Sequence, residues 1–316
     1  MAPRSGKIRV LVVDDSALMR QMLGDILTSD SRIEVVGTAR DGRDALKQIT
    51  ALTPDVVTMD VEMPNMDGLT ALDTIMKTRP MPVIMVSSMT QEGAETTMKA
   101  LSLGCVDFIG KPSGSISLNI RDVGQDIIEK VVAASTARVR SAASPSFSMK
   151  PALPKAPEFR RMAPPSSTGK RREIVAIASS TGGPMALNDL IPKLPGNFPV
   201  PIVITQHMPK EFTPSFSRRL NAASALEVVE AFDGLTLKPG RVAIAPGGKH
   251  LLIRRRNGAT ICELSDAAPE LSVKPAANVM FRSVGDEFGG NVLCVILTGM
   301  GRDGTDGAIP MHRQGA

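Results

Sequence analysis

The feature that most constrains this chain is an alternation of two patterns. Short apolar runs, each closed by polar residues, are separated by longer stretches with apolar residues at helical spacing. Residues 8–13 close in Asp14-Asp15, 56–59 in Asp60, 83–86 in Ser87-Ser88 and 106–109 in Gly110-Lys111-Pro112; residues 34–39 supply a further run. Between them lie a helical stretch from Ser16, with Leu18, Met19, Met22, Leu23, Ile26 and Leu27 on one spacing, and others over 43–52, 69–76, 94–103 and roughly 120–134. Five such strand–helix repeats predict a doubly wound parallel α/β sheet, and near-continuously apolar strands are those covered on both faces.

The alternation then lapses. From 135 to 172 Ser, Ala, Pro, Lys and Arg dominate, as in S-A-A-S-P-S-F-S-M-K-P-A-L-P-K-A-P, so this stretch is read as a linker. From Glu173 the alternation resumes. Runs at 174–177, 201–205, 227–230, 241–245 and 291–297 predict a second, mostly parallel α/β domain. Residues 251–255 and 259–264, joined by Asn257-Gly258, predict a β-hairpin, and 276–284 a helix. The expected division is therefore 1–134, 135–172 and 173–316.

Composition excludes several classes. The net charge is +5, and the chain has no Trp and no Tyr. A nucleic-acid surface would carry more basic residues with interleaved aromatics, and Arg254-Arg255-Arg256 reads as the charged end of a hairpin strand. No apolar run approaches the roughly 20 residues of a membrane span, so no insertion is expected. Cys105, Cys262 and Cys294 have neither disulfide nor metal spacing and read as small core residues. With no apolar signal region before the first strand, a cytoplasmic protein is expected.

In the first domain the polar residues fall at one place. Asp14, Asp15, Asp60, Ser87 and Lys111 each follow an apolar strand, so all project from the carboxyl edge of the sheet. Converging carboxylates repel unless a cation neutralises them, and Mg²⁺ suits an all-oxygen site that keeps water and phosphate ligands. A lysine and a hydroxyl beside them would hold phosphoryl oxygens. The chemistry implied is phosphoryl transfer onto Asp60.

The motifs V-V-D-D-S, V-T-M-D-V-E-M-P-N-M-D-G, V-S-S and K-P resemble the receiver domain of two-component response regulators, over about the first 130 residues. The resemblance implies that Asp60 accepts phosphate from a histidine kinase. It implies that Asp15, Asp60 and the Glu62 carbonyl bind Mg²⁺ with Asp14 assisting, and that Ser87 and Lys111 contact the phosphoryl group. Phe108 stands at the family's aromatic switch position.

In the second domain the sharpest stretch is E-I-V-A-I-A-S-S-T-G-G-P-M, a strand running through a tight turn into a helix. Such a turn offers Ser179 or Ser180 as a nucleophile beside free backbone N–H groups, although the G-x-S-x-G elbow is absent. His207 and Asp303 also follow buried strands, so a Ser, His and Asp can meet at one edge as nucleophile, base and orienting carboxylate. His250 and His312 have no better claim than His207.

A-S-S-T-G-G, T-Q-H-M-P, A-P-G-G-K-H and L-T-G-M-G-R-D-G resemble, in order, the catalytic domain of the chemotaxis protein-glutamate methylesterases, the CheB family. The resemblance implies Ser180 as nucleophile rather than Ser179, which stands where the family usually has Ala. It makes His207 the base and Asp303 its orienting group, with Thr181, Met208 and Met300 lining the site and no cofactor for the esterase step. It implies demethylation of glutamate methyl esters, and deamidation of glutamines, on chemoreceptors. Relative to the family's pattern the catalytic domain is expected to be incomplete at its C-terminus, its last helix barely begun at Ala316. The alternative is a receiver-bearing adaptor whose second domain binds partners without catalysis.

Overall fold

A computed structural model describes residues 6–88, 90–111, 124–137, 139 and 172–316. The expectations for Pro112, for residues 120–123 and for most of the 135–172 linker lie outside the described residues.

The first sheet is parallel in the order β2-β1-β3-β4-β5, built from β1 (Ile8–Val13), β2 (Ile33–Ala39), β3 (Val56–Asp60), β4 (Val83–Ser88) and β5 (Asp107–Lys111). Helices α1 (Ala17–Thr28), α2 (Gly42–Leu52), α3 (Gly68–Thr78), α4 (Gln91–Leu103) and α5 (Gly124–Ser135) cover it. The apolar runs form the central strands because both faces are covered; all five residues of β3 are buried. Ser16, Asp41, Asp67 and Thr90 cap α1 to α4, each accepting a bond from a first-turn N–H with its own side chain.

The second sheet is also parallel, in the order β12-β6-β7-β9-β8. Its strands are β6 (Ile174–Ser179), β7 (Ile202–Gln206), β8 (Glu227–Glu230), β9 (Arg241–Ile244) and β12 (Val292–Ile296). An antiparallel hairpin, β10 (His250–Arg256) with β11 (Ala259–Ser265), lies outside it. The helices are α6 (Gly183–Leu190), α7 (Thr213–Ala223), α8 (Ala277–Phe288) and α9 (Thr305–Arg313).

Three local expectations need correction. The last helix is not barely begun: α9 runs Thr305–Arg313 with Pro310 inside it. The run at 291–297 forms an edge strand, so Leu293 and Ile296 are about half exposed rather than core. Cys105 and Cys262 are buried as expected, but Cys294 on that edge is only partly so. The burial of all three thiols pushes them up, Cys262 to about 12 and Cys294 to about 11.

The two sheets share one apolar cluster. Met98 and Leu101 of α4 and Phe108 of β5 join Leu187 of α6 and Phe212, Phe216 and Leu220 at α7. The Phe108 and Phe212 rings lie 4.4 Å apart at 35°, and both are buried. The helix α7 was not anticipated from sequence, yet Phe216 and Leu220 on it belong to the cluster shared with the first domain.

Candidate active site

At the carboxyl edge of the first sheet, Asp14 and Asp60 are buried and Asp15 is exposed. Ligand oxygens of all three lie within 4.8 Å of one another. Lys111 Nζ sits 2.8 Å from Asp60 Oδ2 and 3.1 Å from Asp14 Oδ2. Both contacts pair the ammonium with a buried carboxylate. Asp60 Oδ1 accepts the Val61 N–H at 2.7 Å. Burial, with Asp14 adding to it, raises the Asp60 carboxyl to about 6 against the pull of Lys111. Burial works against the Lys111 charge, but Asp60 and Asp14 outweigh it and raise the ammonium above its ordinary value.

An all-oxygen donor set of three converging carboxylates fits a hard divalent cation such as Mg²⁺. Glu62 follows in the bend after β3 and is exposed. The Ser87 hydroxyl is buried and donates to the Gly93 carbonyl at 3.2 Å.

The second site gathers at the carboxyl edge of the second sheet. Ser180 follows β6, and Gly182, at φ +75°, lets the chain turn into α6. His207 follows β7, and Asp303 lies between β12 and α9. The structure brings the three together. His207 Nδ1 is 3.1 Å from Ser180 Oγ, and Nε2 is 2.7 Å from Asp303 Oδ2. A carboxylate only accepts, so Nε2–H donates to Asp303 and Nδ1 is left to accept the serine proton. Gly299 passes so close that a Cβ there would lie 2.7 Å from Ser180 Cβ.

Asp303 is held from several sides. Its Oδ2 also accepts the Ala277 N–H at 2.6 Å, and its Oδ1 accepts those of Asn278 and Gly304, both at 2.9 Å. Burial alone would raise this carboxyl; the bonds from His207, Asn278 and Ala277 outweigh it and lower the group below its ordinary value. The cap residues of α6 to α9 (Gly182, Phe212, Ala276 and Gly304) offer no side-chain cap. The N-terminus of α8 is thus capped by Asp303, a residue from another loop.

Ser179 and Ser180 separate here. The Ser179 hydroxyl is buried and donates to Gln206 Oε1 at 2.7 Å, while Ser180 Oγ faces the imidazole. Thr181, Met208 and Met300 line the same cleft as Ser180 and His207. His250 lies elsewhere. It is buried, its Nε2 bonded to the Ala268 carbonyl and its Nδ1 accepting the Ala276 N–H.

Sequence reasoning missed several contributors. Gly247 of A-P-G-G-K-H packs on the loop after His207, where a Cβ would meet Lys210 N at 2.3 Å and Met208 O at 2.5 Å. Gln206 was visible in T-Q-H-M-P without a role. The cleft, about 340 Å³, is walled on one side by the first domain through Asp107, Phe108, Asp126, Glu129 and Lys130. Burial raises the Asp107 carboxyl, opposed by Lys130, whose Nζ is 3.7 Å away and donates to the Phe108 carbonyl at 2.7 Å. Nothing in the linear sequence marks residues that meet only across a domain boundary.

Known proteins give the arrangement its family. The response regulator receiver domain family matches residues 10–120, and the CheB methylesterase family matches residues 175–316. A protein-glutamate methylesterase/protein-glutamine glutaminase of Geobacillus kaustophilus is 46% identical over 308 residues, covering 98% of this chain and 86% of that protein. One from Oleidesulfovibrio alaskensis is 47% identical over 323 residues, covering 98% and 88%. The crystal structure of the Thermotoga maritima CheB methylesterase catalytic domain is 45% identical over 46% of this chain and 76% of that one, with a TM-score of 0.45. The near-complete span of these relatives places the chain in the CheB methylesterase family, with a receiver domain ahead of the methylesterase domain.

Proposed function

We propose that the chain is a phosphorylation-gated hydrolase that demethylates glutamate γ-methyl esters, and deamidates glutamines, on chemoreceptors during adaptation in bacterial chemotaxis. We read residues 1–134 as its receiver domain, 135–172 as linker and 173–316 as the catalytic domain. The observation that carries the reading is His207, whose two ring nitrogens reach Ser180 Oγ and Asp303 Oδ2.

In the proposed reaction Ser180 Oγ attacks the ester carbonyl carbon as its proton passes to His207 Nδ1. Asp303 stabilises the imidazolium. The tetrahedral oxyanion is held by backbone N–H groups near Met300 and the Ser180 turn, with Thr181 and Met208 lining the pocket. Collapse breaks the C–OCH₃ bond, and His207 returns its proton to the departing oxygen as methanol. Water then gives a proton to His207 and attacks the acyl carbon; Ser180 leaves protonated and glutamate is released. A glutamine follows the same route with ammonia as the leaving group. No cofactor enters these steps.

The gate is the receiver domain. Its β5 and α5 residues border the cleft, and phosphorylation of Asp60 by a chemotaxis histidine kinase shifts the population toward an uncovered state. Asp14, Asp15, Asp60 and the Glu62 carbonyl would hold Mg²⁺, with Ser87 and Lys111 turned to the phosphoryl oxygens. When bound, the ion neutralises charge on the phosphoryl group and its acceptor. Among the described residues no helix is long and apolar enough to cross a membrane. The reading takes the protein to work in the cytoplasm on receptor tails, without nucleic acid and without inserting into lipid.

Methanol release from methylated receptor membranes tests both halves. Ser180→Ala is expected to abolish it, and full activity in that variant would remove the mechanism. A small-molecule phosphodonor is expected to stimulate the unmutated chain but not Asp60→Ala. Equal stimulation of both would remove the gate.

A further inference from the structure

Gln206 closes β7 and is 2% exposed. Its Nε2 donates to the Ser180 carbonyl and to the His207 carbonyl, both at 3.0 Å. Its Oε1 accepts the Ser179 hydroxyl at 2.7 Å. Carbonyls only accept, so the two carbonyls fix which end of the amide is nitrogen. The fit is close: a Cβ on Gly183 would lie 2.1 Å from Gln206 Oε1.

The position of this amide matters. The β6–β7 pairing ends at Ser179 opposite Gln206, with the His207 N–H bonded to the Ser179 carbonyl at 3.1 Å. Beyond that pair the chains diverge into the two loops that carry Ser180 and His207. One side-chain amide carries the linkage onward, tying the nucleophile's peptide to the base's peptide.

We propose that Gln206 is the positioning residue of this site, its amide setting the Ser180-to-His207 spacing for acyl transfer. The proposal rests on the esterase reading above. Met at this position keeps the volume but donates nothing. Glu keeps the shape but, when ionised, turns an acceptor toward two carbonyls.

The test uses the full chain with phosphodonor and methylated receptor membranes. Methanol release is measured for the unmutated protein, Gln206→Met and Gln206→Glu, with thermal unfolding of each. Gln206→Met is expected to unfold cooperatively, to hold KM within about twofold and to lose roughly 100-fold in kcat, the scale of a small misplacement at a reacting centre. In Gln206→Glu the buried carboxyl titrates upward, and its protonated form regains one donor. Its kcat relative to the unmutated protein at the same pH is expected to rise as pH falls, roughly tenfold per unit over the titrating range. A side chain that only fills space gives a flat ratio. Unmutated kcat in Gln206→Met, or a flat ratio in Gln206→Glu, overturns the proposal; if Gln206→Met does not fold, the ratio alone decides. An unmutated chain that releases no methanol refutes the esterase reading instead, before any variant is compared.

Discussion

Asp60 and Asp303 are both buried carboxylates at the carboxyl edge of a five-stranded parallel sheet. Burial prevails at Asp60 and raises it; hydrogen bonds prevail at Asp303 and lower it. The difference lies in the backbone donors each one meets. In the first domain α1 to α4 each have a first-turn N–H capped by their own Ser, Asp or Thr, and Asp60 accepts the single backbone N–H of Val61. In the second, Ala276 caps nothing, and the first turn of α8 is free to hold Asp303. A carboxylate left short of donors is ready to take a cation and a phosphoryl group. One saturated with donors is a fixed charge, suited to holding an imidazole through a reaction cycle.

Removing the fixed charge has the largest expected effect. Asp303→Asn puts an amide before three backbone N–H donors and the imidazole, and leaves His207 without its orienting acceptor. A loss of about 10³-fold or more in kcat is expected, measured as methanol release at saturating substrate. A loss under about tenfold would make Asp303 a turn acid rather than the partner of His207.

Next is the contact that joins the two domains. Phe212→Ala removes a fully buried ring that lies tilted against Phe108. About 3 kcal/mol or more of stability should be lost in urea unfolding. Under the proposed gate, methanol release without phosphodonor should rise several-fold, because losing the ring loosens the receiver from the cleft. Unchanged basal release would show that this ring pair does not hold the cover.

The smallest effect separates the two aspartates by pH. Asp60 titrates at about 6 in the folded chain, above the ordinary 3.8. The folded state therefore binds the proton more tightly, and ionising Asp60 costs stability as pH rises through that interval. Asp60→Asn should stabilise the metal-free protein by about 1–2 kcal/mol at about pH 7.5 and by little at about pH 4. A gain that persists at the lower pH would trace to something other than charge. Asp303 has the opposite sign: its contribution is present above the ordinary carboxylate range and fades as pH falls through its lowered value.

The strands were legible because burial on both faces writes them as apolar runs, and the polar residue closing each run marked the edge where both sites lie. Ser180, His207 and Asp303 each follow such a run, and the structure brings them within hydrogen-bond reach. The choice between Ser179 and Ser180 was not legible from residue type. It turns on Gln206, which engages one hydroxyl from a neighbouring strand. The exposure of Leu293 and Ile296 was hidden too, since an apolar run does not say which strand stands at an edge. Phe212 at the N-cap of α7 and Phe216 and Leu220 within it stand four residues apart, a helical spacing whose importance appears only once α4 packs against it.

Under the proposed gate, the shared apolar cluster makes the receiver's cover sensitive to temperature. Lifting the receiver wets Phe108, Phe212 and their neighbours, and wetting apolar surface raises heat capacity. The free energy holding the cover down is then a dome in temperature rather than a line. Cooling weakens it as surely as heating does, so the unphosphorylated enzyme should be most tightly shut in the middle of its thermal range.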